Sequence, residues 1–136
     1  MESARRGLQI VRLAMLISIA LYFVMVKIIP SQASADPLIF RVIALFAFAS
    51  LGALVWLRKL LVRDPIEVLR SRPQDSAALG KWKSGQLITW ALGESIALYG
   101  LILHFLGFSM GQVIPFLVAG ALLILIFPPS LPDRAR

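Results

Sequence analysis

The chain has 136 residues, 59% of them hydrophobic and only 15% charged, with no cysteine and a formal net charge of +7. Its mean hydropathy of +0.84 excludes an ordinary water-soluble domain, which carries about 25% charged residues, and the missing cysteines exclude disulfides and thiolate metal sites. The basic residues lie at the ends of apolar segments and not among exposed aromatics on a polar face. That placement excludes nucleic acid as partner and points to membrane topology and anionic lipid headgroups.

Four apolar segments follow one another, at residues 8–29, 38–57, 87–108 and 110–127. At 1.5 Å per residue the first three reach roughly 30 Å, the thickness of a bilayer's hydrocarbon core, and the fourth spans only with little tilt. The expected fold is therefore all-α: one polytopic membrane domain of four transmembrane helices, with a basic cytoplasmic loop between the second and third.

The first segment admits a second reading. Arg5-Arg6, the apolar run that follows, and Ala33-Ser34-Ala35 before Asp36 match the three regions of a secretory signal peptide. The run is long for a signal peptide and Pro37 sits just past the cleavage point, so an uncleaved helix is expected. Pro30 and Asp36-Pro37 punctuate the first connection, and Pro128-Pro129 ends the fourth helix. Residues 108–112 make a tight turn, with Pro115 in an early helical turn where its missing N–H costs little.

The long connection, 58–85, holds Arg58, Lys59, Arg63, Arg70, Arg72, Lys81 and Lys83 against Asp64, Glu67 and Asp75. Asp64-Pro65 reads as the cap and first turn of a short amphipathic helix lying among headgroups. Asp75 or Ser76 would cap a helix running into the third span, with Trp82 between Lys81 and Lys83 as an interfacial anchor. Twelve of the fourteen Lys and Arg fall on the side of the termini and the long loop, and only Lys27 and Arg41 on the other. The positive-inside rule makes the first side cytoplasmic, in a cell membrane expected to be a bacterial inner membrane.

Glu94 interrupts the third span. An ionisable group in a bilayer costs about 2.5 to 3.5 kcal/mol on insertion scales and is kept neutral, paired or used. At matching depth are Ser50, Ser18 and the small pair Ala119-Gly120, with no Lys or Arg, so a neutral carboxyl hydrogen-bonded to hydroxyls is expected. Two roles follow with equal standing: an ion-carrying carboxyl, or a hydrogen bond that fixes helix register. His104 is the only histidine, so no His-based metal site can be built. Lys27 and Arg41 near it read as snorkelling anchors.

Gly93, Ala97, Gly100, His104, Gly107 and Gly111 alternate by four and three, forming a stripe of mostly small side chains along which another helix can approach closely. Packing within the monomer is the default use of that stripe, and self-association of third helices the sharper one. No nucleophile elbow, phosphate-binding glycine loop or HExxH motif occurs. A non-enzymatic protein without cofactor is expected.

Arg72-Pro73-Gln74, the basic helix start after it, and the run Ala91-Leu92-Gly93-Glu94-Ser95-Ile96-Ala97-Leu98-Tyr99-Gly100-Leu101-Ile102 resemble the second half of the proteolipid c subunit of rotary ATP synthases. The resemblance covers about residues 70–103 and implies that Glu94 carries a proton or cation, with Tyr99 and Gly100 in the motif that follows. Departures set the chain apart from an ordinary ring subunit: the preceding helix has only Gly52, the loop is longer, its order is Arg-Pro-Gln, and two further helices flank the hairpin. The leading expectation is an accessory or packing subunit, associated with other membrane subunits or copies of itself, and the alternative is a c-like carrier.

Overall fold

A computed structural model describes residues 2–31 and 36–127. The Ala33-Ser34-Ala35 segment, Pro128-Pro129, Arg134 and Arg136 lie outside the described residues. All regular structure among the described residues is helical: α1 Glu2–Ile28, α2 Pro37–Arg58, a π-helical turn Lys59–Arg63, α3 Asp64–Ser71, α4 Ser76–Phe105 and α5 Met110–Ile126. Three continuous helical stretches, containing α1, α2 and α4, are long and apolar enough to cross a membrane, and α5 is a shorter apolar helix.

Local chemistry sets most of the boundaries. The Asp36 carboxylate accepts the Leu38 N–H at 2.9 Å with Pro37 in the first turn of α2, where its missing donor is no loss. The Asp75 carboxylate accepts the Ala78 N–H at 3.0 Å and starts α4 as the sequence suggests. At the far end Gly107, with φ 95°, donates to the His104 carbonyl while Phe108 donates to that of Leu103. This left-handed glycine ends α4, so Gly107 is a helix stop and not a member of the packing stripe. Gln112 Oε1 then accepts the Ser109 N–H at 3.2 Å as α5 begins. Pro115 lies inside α5, deeper than the early-turn position expected, and forfeits the bond its N–H would give to Gly111.

The connection, expected as a loop carrying a short helix after Asp64-Pro65 and the start of the next span at Asp75 or Ser76, has both of those helices and is helical from Lys59 to Arg63 as well. Backbone torsions at Lys59, Arg63 and Asp64 are all right-handed helical, so α2, the π turn and α3 form one 35-residue stretch, about 52 Å long. Asp64 therefore caps nothing. A proline inside a helix clashes with the carbonyl four residues back, and the wider π turn just before Pro65 gives that ring room. Only residues 72–75 turn, and α4 returns alongside α3 and the π turn. Gly85 permits the return: a Cβ there would lie 2.6 Å from Val62 Cγ2 and 2.8 Å from the Leu61 carbonyl oxygen.

α4 is the axis of the bundle. Half of its most apolar window is buried, against 11% for the windows of α1 and α2. Its apolar residues are distributed all round, as a central helix requires. α1, α2, α3 and α5 each pack on it, whereas α1 and α2 do not approach one another. The closest neighbour is α5: a Cβ on Gly120 would collide with the Gly93 carbonyl oxygen and lie 2.9 Å from the Ala97 nitrogen. A Cβ on Gly100 would lie 2.9 Å from Phe116 Cβ. Phe40, from the start of α2, meets Phe108 and Phe116 at ring distances of 5.6 and 6.1 Å.

Gly120→Ala is expected to force α4 and α5 apart and lower stability by about 1 to 3 kcal/mol, the range for overpacking. Gly52, with open space around its would-be Cβ, should accept alanine without loss. Unfolding of the purified variants by SDS titration in mixed micelles measures both.

Candidate functional site

Glu94 sits midway along α4 on the face that meets α1. The Tyr22 hydroxyl donates to Glu94 Oε1 at 3.1 Å. The two serines expected at its depth are engaged elsewhere: Ser18 Oγ donates to the Ala14 carbonyl at 3.1 Å and Ser50 Oγ to the Phe46 carbonyl at 2.8 Å, each within its own helix. Such back-bonding satisfies a hydroxyl where no water is present. Tyr22 lies one turn beyond Ser18 on the same face of α1, and its longer side chain covers that extra distance. Periodicity from Ser18 could have found it, whereas depth matching alone could not.

The stripe divides in two. Gly93, Ala97 and Gly100 are buried against α5, with Gly120 as the opposing small residue. Gly107 terminates the helix and Gly111 is exposed on α5. The remaining stripe residue, His104, is buried, and its Nε2 lies 2.6 Å from the Ile29 carbonyl oxygen. A carbonyl can only accept, so that nitrogen carries the proton. His104 thus ties the outgoing end of α1 to the end of α4.

A matching arrangement closes the opposite end. Arg12 Nε donates to the Ile124 carbonyl at 3.1 Å and its terminal nitrogen to that of Leu125 at 2.9 Å. Trp90 Nε1 donates to the Phe127 carbonyl at 3.0 Å. These are carbonyls at the end of α5, which have no partner within the helix, and a cation there also meets the negative end of the helix dipole. Arg58 completes the group, donating to Thr89 Oγ1 at 3.0 Å and standing 3.8 Å above the Phe127 ring.

Several residues expected at lipid headgroups are therefore placed differently. Arg58 is half-buried inside the bundle end, because α5 finishes beside it. Trp82 is wholly buried and belongs to the same core cluster as Val62 and Leu69, because α3 and the π turn fold back over the start of α4. Lys59, Arg63, Arg70, Arg72 and Lys81 are exposed, and Lys83 is half-buried. Trp82 Nε1 and its neighbour one turn on, Gln86 Oε1, are buried without a hydrogen-bond partner. No group of three or more His, Cys, Asp or Glu able to hold a metal occurs among the described residues.

No family model, curated protein or solved structure matches the chain. What the arrangement can do is therefore set by its own geometry. Glu94, Arg12, Arg58 and His104 each hold a neighbouring helix or helix end, and among the described residues Tyr22 is the one hydroxyl that bonds the Glu94 carboxyl.

Arg12→Ala removes two charge-assisted bonds to α5 and is expected to lower stability by about 1.5 to 3 kcal/mol. Arg12→Lys, which keeps the charge but cannot reproduce the two-point contact, should recover part of that loss. The same SDS titration reads both, and equal stability of all three proteins would show that the latch contributes nothing.

Proposed function

We propose that this protein is a small non-enzymatic subunit of a membrane assembly, a four-span bundle with both termini and the basic hairpin turn on the cytoplasmic side. The observation that carries this reading is the hydrogen bond from Tyr22 to Glu94. It places the intramembrane carboxyl in a helix-to-helix contact, as a group that sets register does. Arg12, Arg58 and His104 play the same kind of role at the bundle ends. Four exposed cations, Lys59, Arg63, Arg70 and Arg72, lie on the π turn, on α3 and just after it. Their charge suits an anionic cytoplasmic leaflet.

The glycine seam is filled from within the chain by α5, so association with larger subunits uses the outer faces of α1 and α2. α2 is the richer of these in large side chains, with Leu45, Phe46, Phe48, Val55 and Trp56 all exposed.

A c-like carrier is the second reading, favoured by one detail: among the described residues the carboxyl of Glu94 is met by the Tyr22 hydroxyl and by no cation. Intramembrane carboxyls are often part of ion and proton pathways. Glu94→Gln separates the two. A register-fixing residue should accept this near-isosteric change with native mass and complex composition intact and stability altered by no more than about 2 kcal/mol. Loss of proton or cation flux in reconstituted vesicles, with assembly preserved, would establish the carrier and remove the structural reading.

A further inference from the structure

An open, wholly apolar groove of about 360 Å³ runs between α2 and α5, with Ile96 of α4 at its floor and Ala44, Ala47 and Ala119 making it wide. It exists because α2 and α5 both pack on α4 with their backbones apart, touching through the rings of Phe40 and Phe116 at one end. Its α2 wall runs from Phe40 to Leu51, about 16 Å along the helix, or half the thickness of a hydrocarbon core. That is the depth of a single leaflet.

The charge beside its Phe40 end identifies the occupant. Arg41 is exposed and lies at the Phe40 end of the groove, one turn before Ala44. Seven residues before Phe48, it falls within about 20° of that residue around the helix axis, on the same rim of the groove. It is the only cation on α2 before Arg58. A guanidinium on the rim of an apolar groove one leaflet deep complements a phosphate joined to an acyl chain. We propose that the α2–α5 groove binds one phospholipid, its acyl chain between Phe40 and Leu51 and its phosphate on Arg41. This assignment is independent of any role for Glu94.

Native mass spectrometry of the protein extracted in mild detergent tests it, with two variants. Arg41→Gln removes the phosphate contact without touching the groove, and Ala44→Phe fills the groove without touching the charge. Wild-type protein is expected to retain one phospholipid. Titration of delipidated protein with phosphatidylglycerol should give an affinity about fivefold weaker in Arg41→Gln, the effect of one near-surface charge, and no measurable site in Ala44→Phe. Circular dichroism of both variants should match wild type. Equal lipid retention by all three proteins would overturn the proposal. So would a lipid-free wild-type dimer that Ala44→Phe converts to monomer, which would give the groove to a second copy.

Discussion

The close approach of α4 and α5 is the contact on which the rest of the bundle depends. In lipid no hydrophobic force drives helices together, so close packing of small residues and satisfaction of polar groups must do so. Gly93, Ala97 and Gly100 on one side and Gly120 on the other bring the two backbones within van der Waals range. That contact fixes where α5 ends, and so brings its last carbonyls to Arg12 and Trp90 and its Phe127 ring to Arg58. It also leaves α2 on another side of α4, which creates the groove.

Helix ends are the second constraint. The last carbonyls of a helix have no partner of their own, and where water is scarce the protein must supply one. This chain does so at both ends of the bundle: His104 for the end of α1, and Arg12 with Trp90 for the end of α5. A basic residue at the end of an apolar segment thus has two uses, toward lipid headgroups or toward a neighbouring helix. Arg12 and Arg58 take the second use, and Arg63 and Arg70 remain exposed.

Hydropathy and capping chemistry made the helices legible from sequence, including the start of α4 at the Asp75 cap and the packing value of Gly93, Ala97 and Gly100. In the stretch 58–85 the short helix after Asp64-Pro65 was legible, but charge density hid its continuity with α2, where Leu60, Leu61 and Val62 keep a helical run. The π turn that lets Pro65 sit inside that run leaves no residue signature of its own. Trp82 between two lysines has the local pattern of an interface anchor, and its burial follows only from the return of α3, a contact between distant parts of the chain. Glu94 was visible as an anomaly in its span, but its partner was not. Ser18 and Ser50 have the right depth, yet a serine in an apolar helix finds its own carbonyl four residues back, and the reach of Tyr22 decides the contact.

A bundle closed on itself in this way leaves its outer faces, and not its glycine seam, open to contact. The chain has no cysteine, so introduced thiols report on that seam without background. A Cβ at Gly93 would lie 3.3 Å from Leu123 Cβ, close to the roughly 3.5 to 4.5 Å of a disulfide. Mild oxidation of Gly93→Cys/Leu123→Cys in native membranes is expected to join α4 to α5 within one chain, seen as a 2 Da loss of intact mass, while Gly93→Cys alone stays monomeric. Efficient disulfide-linked dimers from the single variant, with no intrachain bond in the double, would put the seam between copies and contradict the account.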